Sequence, residues 1–137
     1  MTVAISYHKD ARVTACAAEV LDGFTDVCRS LRYATFLTDD GFEVASIGGD
    51  ENKSRRVASM ASSMQALGDA VARDLGIGGA EYIILAAETG YVIQMRVPDH
   101  AMVLAAHFDA AETVGKALSV ARLAASNLQA MVLGEAA

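Results

Sequence analysis

Residues 81–107 read EYIILAAETGYVIQMRVPDHAMVLAAH and contain three strand-like segments, 81–87, 91–97 and 101–107. Each segment is rich in the branched and aromatic side chains that suit a pleated, half-buried surface. The segments are joined by connections of only three residues. Because connections this short force neighbouring strands to run antiparallel, the stretch predicts a three-stranded meander.

A long amphipathic helix is predicted immediately before the meander, from Asp50 to about Leu75. Large apolar residues recur along it at helical spacing, and a neighbouring strip consists of serine and alanine. Asp50 is a suitable N-cap and Gly76 a suitable C-cap. The small side chains of the strip would let a second backbone approach this helix closely.

The residues further upstream predict a helix followed by a hairpin. Apolar residues at steps of three and four between Val13 and Leu31 draw one stripe along a helix of about five turns. Residues 33–37 and 42–47 have the pattern of strands, and the Asp-Gly pair in residues 38–41 supplies the tight turn between them.

A final alanine-rich helix is predicted from the capping-box pattern DAAE at residues 109–112 to about Leu133. The complete order is then α-β-β-α-β-β-β-α. This order predicts an α+β fold with α/β/α layers, in which helices cover both faces of a five-stranded antiparallel sheet. The domain is expected to span residues 13–133, with an N-terminal arm at 1–12 and a C-terminal tail at 134–137.

Composition excludes several classes of function. The net charge is −6 and tryptophan is absent, which disfavours nucleic-acid binding, since that depends on basic patches and stacking side chains. No apolar run approaches the ~20 residues that a membrane span needs. Residues 13–16 resemble a lipoprotein cleavage box, but charged residues precede them instead of an apolar stretch. The cytoplasm is therefore the expected location.

The residues that usually carry chemistry do not form a recognisable site. Cys16 and Cys28 would lie about 18 Å apart on one helix, too far for a disulfide. The sequence places no third ligand beside any pair of histidines, as a metal site would require. Residues 76–79 are rich in glycine but leave a helix and enter a strand, the opposite of a phosphate-binding turn. We therefore expect no catalytic residue, no metal and no cofactor, and a protein that is not an enzyme.

The order of elements, together with three short stretches, resembles the roadblock family of dynein light chains and bacterial regulators of Ras-like GTPases. The stretches are DGFEVAS at residues 40–46, the helix from Met60 to Leu75 with Gly76 after it, and ETGYV at residues 88–92. Bacterial members carry similar D-G-x-x-x-A-S hairpins and G-Y strand starts. The resemblance covers roughly residues 13–133.

This resemblance implies a homodimer in which the central helix and the first meander strand meet their copies across a two-fold axis, so that the paired sheets form one continuous sheet of ten strands. It also implies a protein that binds a Ras-like small GTPase, or acts as a scaffold beside one, and modulates its GTPase cycle. Members that speed GTP hydrolysis do so by repositioning the groups of the GTPase itself.

The residues independently predict a dimer. The segment 81–87 follows a crossover helix and is expected at a sheet edge, where only Glu81 guards its apolar side chains against aggregation. The central helix is apolar over a wider face than a single sheet-covering stripe needs. The predicted dimer interface consists of Met60, Ser63, Met64, Leu67, Val71, Tyr82, Ile84 and Ala86.

A second hypothesis remains open at this point. Related sheet-and-helix folds bind small ligands between the sheet and the helices, and the many small residues of this chain are compatible with a pocket there. Such a sensory module would need a sizeable internal cavity, whereas a filled core would disfavour it.

Overall fold

The computed structural model describes residues 6–136, the last four of them as helix backbone only, and consists of three α-helices packed on one five-stranded antiparallel sheet. This element order confirms the predicted α+β fold and its α-β-β-α-β-β-β-α arrangement. In chain order the elements are a short 3-10 turn at Tyr7–Lys9, α1 (Ala11–Val27), β1 (Leu31–Thr38), β2 (Glu43–Ile47), α2 (Glu51–Leu75), β3 (Tyr82–Ala87), β4 (Gly90–Arg96), β5 (Met102–Asp109) and α3 (Val114–Ala136).

The strands lie in the order β2-β1-β5-β4-β3, and every neighbouring pair is antiparallel. The two short hairpins thus flank the central contact between β1 and β5. Within the described part of the chain, β3 pairs with β4 alone, which confirms the edge position predicted for residues 81–87.

The main core lies between the sheet and the pair α1 and α3. Phe36, Leu104 and Phe108 from the sheet are fully buried there, together with Leu21 of α1 and Leu128 of α3. Complete burial of each such side chain contributes about 1.5–3 kcal/mol. The layer in which the alternative hypothesis placed a ligand is therefore occupied by side chains.

The opposite face of the sheet is covered by α2 through much smaller side chains. A separate apolar cluster on this side consists of Ala58 and Ala61 of α2 against Leu37 and Ala105 of the sheet. Small side chains bring the α2 backbone close to the strands but bury little apolar area.

Both predicted ends of the domain, residues 13 and 133, lie inside helices. α1 begins at Ala11 because Asp10 caps it, with its carboxylate accepting hydrogen bonds from the N–H groups of Arg12 and Val13. Tyr7 is buried against the main core, so the segment before α1 packs on the domain from that residue onward. α3 continues to Ala136. The remaining parts of the predicted arm and tail, residues 1–5 and 137, lie outside the described residues.

The capping box predicted at residues 109–112 is wrong. The strand β5 continues to Asp109, whose backbone N–H donates a hydrogen bond to the carbonyl oxygen of Ser30, just before β1. α3 begins only at Val114, where the hydroxyl of Thr113 accepts a hydrogen bond from the N–H of Lys116. Tertiary pairing of the strand has therefore overridden the local capping signal.

Candidate protein–protein interface

The outer side of α2 exposes large apolar side chains to solvent. Met60 is 57% exposed, Leu67 67%, Val71 50% and Leu75 65%. Of the ten large apolar side chains that are exposed within residues 6–132, seven lie between residues 60 and 85. This concentration is typical of a surface that another chain covers.

The amphipathic character of α2 is inverted relative to that of α1. The buried side chains of α2 are small or polar, among them Ala58, Ala61 and Gln65, whereas α1 buries Leu21 and Phe24. A helix that turns its smallest side chains to its own sheet and its largest outward has only half of its packing satisfied within one chain.

Polar contacts hold α2 on the sheet where apolar contacts are few. Gln94 of β4 is 1% exposed, and its Nε2 donates to the carbonyl oxygen of Ala61 at 2.9 Å and to Oε1 of Gln65 at 3.2 Å. The Oε1 atom of Gln94 is buried and, among the described residues, has no hydrogen-bond partner. These bonds fix the position of α2 along the strands.

A guanidinium provides a second polar attachment. Arg96 at the end of β4 lies 3.1 Å from Asp69 of α2 and 2.7 Å from Asp39 in the turn between β1 and β2. Gln65 donates to the Asp69 carboxylate in turn, at 3.3 Å. The bridge therefore links the hairpin turn, the sheet and α2 at one end of the domain.

The edge strand β3 adds apolar surface beside α2. Leu85 is 51% exposed and Tyr82 39%. Ile83 packs on the α2 side, where its Cδ1 lies 3.0 Å from the point that a Cβ on Gly68 would occupy. Ile84 packs instead against the main core on the other face.

The eight predicted interface residues fall on two faces of the sheet. Those of α2, namely Met60, Ser63, Met64, Leu67 and Val71, share the α2 layer, and all but the partly buried Met64 are exposed. Tyr82, Ile84 and Ala86 lie on β3 with the parity that faces α1 and α3, because Ile84 is opposite the core residue Ile93.

The β3 side chains beside α2 are Ile83 and Leu85, which sequence reasoning did not select. Their parity follows from Gln94, which faces α2 and lies directly opposite Ile83. The side chains on both faces of β3 are apolar, so their alternation along the sequence does not indicate which of them face α2. Membership of all these residues in a dimer interface remains a prediction.

Two grooves border this surface. The first, of about 530 Å³, runs between α2 and the start of β3 and is lined by apolar side chains that include Met64, Leu67, Val71, Ile77 and Ile83. The second, of about 910 Å³, lies beyond the start of β3 and is lined in part by Arg73, Arg96, Arg122 and Tyr82. Both are open to solvent, and together they frame the β3 edge.

Two titratable groups away from this surface have shifted pKa values. Partial burial lowers the pKa of His107 in β5, the charges of Lys53 and Arg32 lower it further, and Asp109 partly opposes them. A hydrogen bond from the hydroxyl of Ser30 holds the pKa of Glu112 below its usual range. Neither group belongs to the exposed faces of α2 and β3.

Two other kinds of site are absent from the part of the chain that the structure covers. Among the side chains that the structure describes, no three histidine, cysteine, aspartate or glutamate residues come together as ligands of a metal ion would. Across the same residues, no helix combines the length and the apolar character that crossing a bilayer requires.

These features define a three-layer α/β/α domain whose central helix and edge strand expose an apolar surface. Residues 17–107 match the family model of the Roadblock/LC7 domain. The chain belongs to this family and is a roadblock-type regulatory protein. The resemblance seen in the sequence is thereby confirmed.

Solved structures with the same fold include several MglB proteins. MglB of Myxococcus xanthus is 13% identical, with coverage of 98% of this chain and 95% of that one and a TM-score of 0.74. The gliding protein MglB of Thermus thermophilus is 20% identical, with coverage of 94% and 97% and a TM-score of 0.79. An MglB structure with a tetrameric arrangement is 22% identical, with coverage of 94% and 96% and a TM-score of 0.80. Among curated protein sequences, none matches the chain significantly.

Proposed function

We propose that this chain is a homodimeric regulator or scaffold that binds a Ras-like small GTPase and modulates its GTPase cycle. The observation that carries the dimer is the inverted helix α2 beside the open edge of β3. Met60, Leu67 and Val71 are each at least half exposed on the helix, and Leu85 is exposed on the strand next to it.

Pairing β3 with its own copy accounts for both features at once. An open strand edge presents unpaired backbone N–H and C=O groups that a second strand can satisfy. A two-fold axis that sets two copies of β3 side by side and antiparallel is normal to the sheet. Such an axis keeps both copies of α2 on the same face, where their apolar outer sides approach each other.

Support for a GTPase partner comes from membership of the Roadblock/LC7 family. Within this family, the sequence resembles the bacterial members that regulate Ras-like GTPases. A regulator of this kind needs no catalytic residue, since the GTPase contributes the reacting groups. The fold shared with MglB proteins agrees with this role.

The dimer is tested by size-exclusion chromatography with light scattering at micromolar concentration, where we expect twice the protomer mass of 14.3 kDa. A monomer under these conditions would overturn the proposed assembly.

The partner is tested with a Ras-like small GTPase encoded in the same genome, loaded either with GDP or with a non-hydrolysable GTP analogue. We expect a complex that forms more tightly in one nucleotide state, measured by calorimetry with the wild-type dimer. Equal, negligible binding in both states would contradict the GTPase role and leave the dimer unaffected.

A further inference from the structure

The pairing of β3 with its copy is subject to a geometric constraint. Because the two-fold axis is normal to the sheet, each residue keeps its face in the copy. Directly opposed residues of an antiparallel pair also point to one face. Opposed residues must therefore differ by an even number of positions, and one residue lies opposite its own copy.

This constraint leaves two registers that keep most of β3 paired. Complete overlap of the two strands would place Tyr82 opposite Ala87. This register is excluded, because the two residues are an odd number of positions apart. The permitted registers centre on Ile84 or on Leu85. In the first, the partner's Glu88 lies opposite residue 80, and in the second it lies opposite Tyr82. Glu88 is the first residue of the turn that follows β3, and both registers bring this turn residue within two positions of the partner's Tyr82.

A cation is already present at that point. The guanidinium of Arg122 in α3 lies 5.6 Å from the centre of the Tyr82 ring. Arg122 and Glu88 are both exposed, and neither forms an ion pair with a side chain of residues 6–132 in its own chain. Neighbouring strands lie about 4.8 Å apart, so a glutamate directly after the added strand can reach a guanidinium above Tyr82.

The neighbouring charges leave Arg122 as the available cation on this face. Arg96 lines the same groove but is held between Asp39 and Asp69. Arg73 lines it too, but from α2, which covers the opposite face of the sheet. Glu81 has the parity of Ile83 and so belongs to the α2 face of the strand. Among the described residues, the face of Tyr82 therefore offers one unpaired positive charge to an incoming carboxylate.

From this arrangement we infer that Arg122 of each protomer forms an ion pair with the partner's Glu88, once at each end of the paired strands. The inference rests on the proposed dimer and adds to it the contact that selects a second copy of this chain and fixes its register. Charge pairs at an interface act on specificity in this way.

The test uses two charge reversals in the full chain, Arg122→Glu and Glu88→Arg. Each variant alone brings two like charges together at both ends of its homodimer. We expect each to raise the dimer dissociation constant by roughly tenfold, because the contact occurs twice in every dimer. The double variant restores opposite charges at both ends and is expected to dimerise within about threefold of the wild type.

Mixing the two single variants is the more demanding experiment. In their heterodimer one contact is native and the other is reversed, so both ends carry opposite charges. Native mass spectrometry of an equimolar mixture, with one variant isotopically labelled, should show heterodimers well above the half expected for random association. A loss of folding in either variant would not produce this preference.

Matched control variants are Arg29→Glu and Glu19→Arg, which reverse exposed charges on the α1 side of the molecule. Their mixture should associate at random. If the wild type is dimeric but the Arg122→Glu and Glu88→Arg mixture is also random, the ion pair is wrong. A monomeric wild type would instead overturn the proposed dimer itself.

Discussion

Gln94 in the middle of β4 donates its side-chain N–H to the backbone carbonyl oxygen of Ala61 in α2, across 2.9 Å. The same nitrogen reaches Oε1 of Gln65 at 3.2 Å. Both amide side chains are buried between the sheet and α2. Since the apolar contacts around it are made largely by alanine methyl groups, this amide pair provides a buried directional interaction that positions the helix, in addition to the ion pair of Arg96 with Asp69.

Replacing Gln94 by leucine should destabilise the fold. The Gln94→Leu variant leaves the buried Gln65 without its partner, which costs about 1–3 kcal/mol of the free energy of unfolding. Urea denaturation at fixed protomer concentration measures the loss. The double variant Gln65→Leu, Gln94→Leu removes both polar groups and should lie within about 1 kcal/mol of the wild type. A double variant less stable than Gln94→Leu would contradict this account.

Charge on the outer side of α2 should dissociate the dimer. Leu67→Glu, like Met64→Glu, would bury a carboxylate without a partner, and we expect the dissociation constant to rise by at least about a hundredfold, or ~2.7 kcal/mol. Leu123→Glu is the matched control, because Leu123 is 55% exposed on α3 on the other side of the sheet. Sedimentation equilibrium measures all three variants. If Leu67→Glu and Leu123→Glu remain equally dimeric, the interface has been assigned to the wrong face.

Two glycine substitutions should act in opposite directions. A Cβ on Gly90, at the start of β4, would lie 2.7 Å from the carbonyl oxygen of Phe108, so Gly90→Ala should cost about 1–3 kcal/mol of stability. A Cβ on Gly23 in α1 would meet no atom within 4 Å, so Gly23→Ala should stabilise the helix by about 0.5–1 kcal/mol. Thermal unfolding distinguishes the two. Equal effects would mean that backbone entropy alone governs both sites.

The free energy of unfolding should decrease as the pH is lowered through the titration range of His107. Because its pKa is lowered in the folded state, the unfolded chain binds more protons once the pH falls below the ordinary value of 6.5. The folded state therefore loses stability from that pH down to the lower folded pKa. His107→Asn should flatten this part of the stability profile, measured by urea unfolding between pH 7.5 and about 5.

The same histidine provides a direct check by NMR titration. Asp109 is the charge that raises the pKa of His107, so Asp109→Asn should move that pKa further down. An unchanged or higher pKa in this variant would show that the carboxylate does not act on the imidazole as the geometry indicates.

The order of elements could be predicted because each segment carries its own period. The helical steps after Val13 and the short connections of the meander are local signals, which do not depend on the tertiary structure. The start of α3 could not be predicted in this way, since the capping pattern at Asp109 competes with a strand ladder that only the tertiary structure creates. Thr113 is the residue that caps α3. Its sequence context is a weaker capping pattern than the capping box at residues 109–112, which the strand overrides.

The face of β3 that lies beside α2 was also beyond prediction. Ile83 and Leu85 on one face are as apolar as Tyr82 and Ile84 on the other, so period-two alternation cannot assign them. The side of α2 that faces the sheet could not be predicted either, for a related reason. Hydrophobicity favours large side chains as the buried ones, whereas here Ala58 and Ala61 occupy that position.

The thin attachment of α2 has a consequence for motion. Lifting this helix from its strands exposes little apolar area in a lone protomer, so brief local opening costs far less free energy than opening α1 or α3. A neighbouring copy that buries Met60 and Leu67 raises that cost. Backbone amides of residues 51–75 should accordingly exchange with deuterium more slowly as the protein concentration rises, while those of α1 are indifferent to dilution. If the proposed dimer forms, the concentration of the protein thus determines how often its central helix opens.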